Sequence, residues 1–233
     1  MSKRSLKRIA APRSWPIKRK VNKWLTRPLP GGQKLEYGLP LNIIFKDLLK
    51  LTKTTRETKQ IIRDGKVLVN KVPRKDYKFQ IGLFDVIELP NKEAFRLLFS
   101  KKGKLIIHQI KKEESSLIIY KIINKTILKN KIIQLNFHNG KNILVEKDNY
   151  KVGDTLILDE KNNVKQHLKF EKGALLYLIG GKHIAETGIL ETVHKSEGSQ
   201  PNKIEVKIDN NNFTTLKEYS FAIGKEKAII SLP

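Results

Sequence analysis

The 233-residue sequence contains no cysteine, so neither a disulfide framework nor a thiolate metal site can form. No apolar run approaches the roughly 18 residues that span a bilayer. The N-terminus is basic, but no apolar stretch follows it as a secretory signal requires, and it lacks the apolar stripe of a helix that lies on a lipid surface. Acids are scarce as well: 23 Asp and Glu stand against 47 Lys and Arg, for a net charge of +24. A compact chain with that excess repels itself, which calls for a polyanionic partner. With the membrane readings weak, nucleic acid is the expected partner. Hydrophobic residues still make up 39% of the chain, enough for most of it to fold.

Signatures of chemistry are missing too. The histidines, His108, His138, His167, His183 and His194, form no metal-ligand spacing. The acids are scattered and mostly flanked by lysines. Asp154 follows Gly153 and reads as a turn former. Asp85 falls in an expected strand of an RNA-binding segment; it could serve an RNA-modifying enzyme, but no motif surrounds it. Gly180-Gly181-Lys182 lacks the spacing of a phosphate loop and reads as a tight turn. No nucleophile–base pair or paired carboxylates stand out. The expectation is a non-enzymatic protein with no cofactor, no metal and no small-molecule substrate.

The positive charge is unevenly placed. Residues 1–34 hold eleven Lys and Arg and no acid; residues 41–90 carry net +5, residues 91–170 net +9, and residues 171–233 eight charges of each sign. Polyanion binding is therefore expected in the N-terminal two thirds. Residues 1–40 also hold five of the nine prolines, which discourage helix. They read as an extended basic arm that orders on RNA. Its candidate RNA-binding residues are Lys3, Arg4, Lys7, Arg8, Arg13, Lys18, Arg19, Lys20, Lys23 and Arg27 for phosphates. Trp15 and Trp24 would stack on bases or dock on the protein body.

Residues 41–89, within a module expected over 41–100, read as helix, helix, strand, loop, strand. The first helix is expected near Asn42 as N-cap, with Ile44, Phe45, Leu48 and Leu51 on its apolar face. Thr54 and Glu57 form a capping box for the second, which stops at Asp64-Gly65. On it, Arg56, Lys59 and Arg63 share one face and Ile61 and Ile62 point the other way. Strands are expected over Lys66–Val72 and Leu83–Leu89, with a basic loop from Pro73 to Lys78 between them. Lys53, Arg56, Lys59, Arg63, Lys66, Lys71, Arg74, Lys75 and Lys78 complete the candidate RNA-binding set. Glu93–Phe99 reads as a short helix. Residues 101–170 look like a β-domain, with turns at His138-Asn139-Gly140 and Lys161-Asn162-Asn163. Residues 171–223 show the short-strand spacing of a small barrel, with turns at Gly180-Gly181 and Asp209-Asn210-Asn211, and residues 224–233 form a tail.

Several stretches, in order, resemble one family. They are Leu6-Lys7-Arg8-Ile9-Ala10-Ala11-Pro12 with Trp15, Lys34-Leu35 before Leu39-Pro40-Leu41, Asp64-Gly65-Lys66-Val67, and Gly82-Leu83-Phe84-Asp85-Val86-Ile87. Lys102-Gly103-Lys104 with His108, Lys169-Phe170, Gly180-Gly181, Gly188-Ile189 and Ile230-Ser231-Leu232-Pro233 follow. The chain resembles the archaeal and eukaryotic-type (e-type) small-subunit ribosomal protein S-four family. The resemblance implies an α+β, mostly β fold: the arm, an α-L RNA-binding module, a family-specific central β-domain and a C-terminal SH3-like KOW barrel. In the barrel Gly188 would be the characteristic glycine, at a turn between strands where a positive φ would exclude side chains. Glu186 stands where a basic residue is common, which weakens the expectation of phosphate contact there. The implied role is a structural constituent of the small ribosomal subunit that binds its ribosomal RNA and neighbouring ribosomal proteins, in the cytoplasm, with no membrane partner. The rival readings are an RNA-modification enzyme or a translation factor that uses the same module.

Overall fold

The computed structural model describes residues 5–91, 93–159, 163–194, 196, 200–208, 211–225 and 227–233. The chain divides into two compact units, Met1–Leu98 with Lys104–Ile118 and Phe99–Gly103 with Ile119–Pro233. Among the described residues no helix is long and apolar enough to cross a membrane.

In the first unit, β1 (Leu6–Lys7) pairs antiparallel with β2 (Trp24–Leu25) and closes the arm on itself. β3 (Gly38–Pro40) leads into α1 (Leu41–Ile43), which continues as a π-helical turn (Ile44–Leu48). Pro40, not Asn42, is the N-cap. Its fixed extended backbone sets the helix start without a side-chain cap. Asn42 is buried in the first turn and donates through Nδ2 to Thr26 Oγ1 (2.6 Å) and Thr55 Oγ1 (3.3 Å). Ile44 and Phe45 are buried, but Leu51 is 51% exposed. The helix has ended by then, at Lys50 with φ 54°.

α2 (Thr55–Arg63) begins with the expected capping box: Thr54 Oγ1 accepts from Glu57 N (3.3 Å), while Glu57 Oε2 accepts from Thr54 N (3.5 Å) and Lys53 N (2.9 Å). It stops at Gly65, whose φ of 71° is a left-handed exit. The single strand expected over Lys66–Val72 is a hairpin instead, β4 (Leu68–Val69) and β5 (Val72–Pro73). Asn70 and Lys71, at φ 49° and 67°, form the two-residue turn. That pair of positive φ values is the type I′ requirement, which asparagine tolerates well. β6 (Gln80–Gly82) pairs with β3, while β7 (Val86–Glu88), β8 (Ala94–Phe99) and β9 (Leu105–Ile110) complete a sheet of order β5-β4-β7-β8-β9. Residues expected as a helix, Glu93–Phe99, thus supply β8. Five of its six residues are buried, and a run buried on both faces carries no period to tell strand from helix.

Asp85 secures this sheet. Its Oδ2 accepts from Gly82 N and its Oδ1 from Asn70 Nδ2, both at 2.7 Å, and Asn70 Oδ1 accepts from Val86 N at 2.9 Å. The carboxylate thereby holds the Asn70-Lys71 turn and the tight turn where Phe84 sits at φ 67°, a costly conformation for a bulky residue. Burial pushes its pKa up to about 6, against the opposing pull of the Asn70 and Gly82 hydrogen bonds and the Arg74 charge.

The second unit contains two five-stranded sheets. The first has order β12-β11-β10-β13-β14, from β10 (Ile118–Ile127), β11 (Ile133–Phe137), β12 (Asn142–Val145), β13 (Thr155–Leu158) and β14 (Val164–Leu168). The second is a half-barrel of order β18-β17-β16-β15-β19, from β15 (Leu175–Leu178), β16 (Thr187–His194), β17 (Lys203–Ile208), β18 (Asn211–Leu216) and β19 (Ser220–Gly224). The expected turn at Gly140 is present, with φ 81°. Those at Lys161-Asn162 and Asp209-Asn210 lie outside the described residues. Asp154 accepts from Lys151 N (2.9 Å) and Phe170 N (2.9 Å) and meets His167 Nε2 at 2.7 Å, which ties the β13 entrance to the end of β14. Gly188 is not in a turn: it lies in β16 without a positive φ, and a Cβ there would come within 2.5 Å of Val206 Cγ1. The close approach of β17, rather than backbone freedom, calls for glycine.

Inside this unit Lys121 is 6% exposed. Its Nζ donates to the carbonyls of Lys217 (3.0 Å), Glu218 (3.1 Å) and Ser220 (2.6 Å), and so links β10 to the approach of β19. Burial, helped by the Lys217 charge and opposed by Glu218, lowers its pKa to about 7.

Candidate nucleic-acid interface

α2 separates its two roles by face. Thr58 and Ile62 are fully buried and Ile61 half-buried, whereas Lys53 before the helix and Arg56, Lys59 and Arg63 on it are exposed. The capping box and the Gly65 exit satisfy the helix's own ends, so these cations need not serve the backbone. The loop beyond β5 returns beside them. Asp76 shapes it by accepting from Lys78 N at 2.8 Å, and Phe79 N donates to Asp76 O at 3.1 Å. As a result Tyr77 lies under two ammonium groups, Lys59 Nζ at 4.6 Å and Lys78 Nζ at 5.6 Å from the ring centroid. Arg74 stacks on Phe79 at 4.3 Å, and Lys75 is exposed near Gly65. Chemically this is a surface of dense positive charge stiffened by aromatic rings, suited to closely spaced phosphates.

The two remaining candidates of this segment differ. Lys66 is exposed, with a loose 3.8 Å pair to Asp64. Lys71 is turned inward and neutralised: its Nζ is 2.7 Å from Glu88 Oε1 and donates to Ser115 Oγ at 3.0 Å. Phe79 was not legible as a site residue, because only the Asp76 turn brings it back under Arg74.

The arm, expected to order on RNA, is already pinned to the protein. Trp15 is 1% exposed and donates through Nε1 to Leu35 O at 3.1 Å; of the two roles weighed for it, docking is the one observed. Leu105 N donates to Ser14 O (2.8 Å), and Ser14 Oγ to Glu36 O (2.6 Å). Two candidate phosphate ligands act inside the arm. Arg8, buried, donates to Lys18 O (2.8 Å), while Arg19 donates to the carbonyls of Ile9 (3.0 Å), Ala11 (2.9 Å) and Pro12 (2.9 Å). Lys7, Arg13, Lys18, Lys20 and Lys23 are exposed and Arg27 is half-buried. Trp24 is 51% exposed, with Lys23 Nζ 5.6 Å from its ring. Lys3 and Arg4 lie outside the described residues. Among those described, no group of three or more His, Asp or Glu could hold a metal ion.

Comparison with known proteins covers the same segments. The RS4NT (NUC023) domain matches residues 2–36, the S4 domain residues 48–87, and Ribosomal family S4e residues 91–164. The small ribosomal subunit protein eS4 of Methanothermobacter thermautotrophicus is 39% identical, over 100% of this chain and 97% of that relative. The protein of the same name from Archaeoglobus fulgidus is 41% identical, over 97% of both. A crystal structure of the 30S ribosomal protein S4e from Thermoplasma acidophilum matches with a TM-score of 0.71 at 29% identity, covering 82% of this chain and 96% of that one. These relatives are ribosomal structural proteins and not enzymes. The arm, the two-helix module and the β-rich remainder all carry the likeness, and the chain belongs to the S4e family of ribosomal proteins.

Proposed function

We propose that the chain is a structural constituent of the small ribosomal subunit, located on the ribosome in the cytoplasm, that binds and stabilises its ribosomal RNA and touches neighbouring ribosomal proteins. The observation that carries this reading is the division of α2, whose apolar face is buried while Arg56, Lys59 and Arg63 stand exposed beside Lys75 and the Lys59–Tyr77–Lys78 cluster. These groups and the exposed lysines of the arm neutralise phosphates and release counterions; the folded backbone supplies the shape that places them. The proposed organisation is an arm (1–40), an RNA-binding module (41–100), a central β-domain (101–170), a KOW module (171–223) and a tail (224–233). Family membership supports the subunit assignment, and the net +24 charge supports an RNA partner.

Sedimentation tests the reading. In lysate the chain is expected to co-migrate with the small subunit at one copy per particle and to stay bound through washing at moderate salt. With rRNA fragments, removal of residues 1–34 should flatten the salt dependence by a slope of roughly 0.7–0.9 for each phosphate that is no longer neutralised. A chain that runs free of the subunit, or binds rRNA with no salt dependence, refutes it.

A further inference from the structure

The C-terminal third is neutral as a whole, yet one groove in it presents two lysines. A groove of about 580 Å³ in the second unit is lined by Lys182, His183, Lys203, Phe213, Thr214 and Thr215 among others, and no carboxylate lines it among the described residues. Its rings are fixed. His183 stacks on Phe213 with centroids 4.2 Å apart at 29°, and Glu186 Oε2 holds the imidazole through Nδ1 at 2.8 Å. One wall is the bend through Gly181 (φ 83°), where Gly180 packs so closely against Tyr219 that a Cβ would come within 2.8 Å of the ring. The other wall is β18, an edge strand of its sheet.

We infer that this groove is a binding site for one unpaired nucleotide of RNA, with the base stacked on the His183–Phe213 pair and the flanking phosphates met by Lys182 and Lys203. The inference rests on the RNA-binding role proposed above and adds a second, chemically different contact to it. α2 offers charge to a backbone, whereas this groove offers a planar platform to a base. Thr215, on the same face of β18 as Phe213 and turned toward Gly181, supplies a hydroxyl for the sugar or the base edge. The volume lies in the range of small-ligand sites. A peptide added along β18 would use the strand's backbone edge and would need neither the paired rings nor the two ammonium groups. A single such site is also compatible with the zero net charge of residues 171–233, because stacking adds to two phosphate contacts without calling for further cations.

The full-length chain, titrated with a single-stranded RNA pentanucleotide that carries a central 2-aminopurine, tests this, since stacking quenches that base. The wild type should quench saturably. Phe213→Leu should weaken binding about tenfold, the scale of a single base–aromatic stack. Lys182→Gln with Lys203→Gln should lower the salt slope by roughly 0.7 for each phosphate left unpaired, and this pair carries the test alone should Phe213→Leu fail to fold. Arg56→Glu with Lys59→Glu should leave the quench intact while it impairs binding of rRNA fragments. The inference is overturned by absence of quenching in the wild type, by quenching unchanged in the groove variants, or by quenching that disappears with the α2 charges. Wild-type binding of rRNA fragments in those cases leaves the broader reading standing.

Discussion

In the arm, the guanidinium of Arg19 donates to three backbone carbonyls, while in α2 Arg56, Lys59 and Arg63 project into solvent. Both stretches are rich in bases, and the difference follows from where their backbones find partners. Residues 8–23 run between β1 and β2 with little regular structure, so their carbonyls need donors from side chains. A helix satisfies its own carbonyls, and α2 has both ends capped. Its cations are left for an external anion. Lys121 extends the contrast to the second unit, where a buried ammonium serves three carbonyls. Charge counted along a sequence therefore overstates the charge available to RNA.

The comparison can be broken most severely at Trp15. Trp15→Ala should cost about 3–5 kcal/mol, read as a lowered urea midpoint, and should release the arm to proteolysis. A destabilisation below about 1 kcal/mol would mean that the arm is not anchored by its indole.

Lys121 gives the next largest effect, through pH. Its folded pKa of about 7 lies below the ordinary 10.5. Between those values the unfolded chain binds the extra proton, so wild-type stability should rise with pH relative to Lys121→Met. The rise is at most about 1.4 kcal/mol per pH unit. Below about pH 7 the difference should level off. Urea midpoints at pH 6, 7, 8 and 9 check it, and a flat difference across pH 7–9 would place the proton elsewhere.

Arg19→Lys sharpens the contrast because it keeps the charge and removes the planar fork. It should destabilise by roughly 1–3 kcal/mol, while equal stability of the two would show that charge alone holds the arm. The smallest effect on stability belongs to Arg56→Glu with Lys59→Glu. These exposed changes should move the unfolding free energy by no more than about 0.5 kcal/mol and still weaken rRNA-fragment binding. A large melting shift would make these bases structural, like Arg19.

Much of the first unit could be read from local signals. Thr54 with Glu57 announced α2, and Asp64-Gly65 ended it, because capping involves residues a few positions apart. The segregation of Arg56, Lys59 and Arg63 from Ile62 followed from helical periodicity. Signals failed where a neighbour distant in sequence decides. Glu93–Phe99 became a strand because β7 pairs with it, through Val86 with Arg96 and Ile87 with Phe95. Lys71 resembled a phosphate ligand until the sheet brought Glu88 beside it. Gly188 was marked as special by resemblance, but its reason is the side chain of Val206, which only the register of β16 and β17 supplies.

The sequence by itself determined the capped second helix, the division of its faces and the β-rich remainder, since these depend on short-range hydrogen bonding and periodicity. The tertiary structure alone decided which of the other cations turn inward. It turned Arg8, Arg19, Lys71 and Lys121 toward carbonyls and carboxylates, and it brought His183 onto Phe213 from thirty positions away. The reason is that a charged side chain takes the partner that folding places within about 3 Å of it, and for these four cations that partner lies at least 7 positions away in the chain.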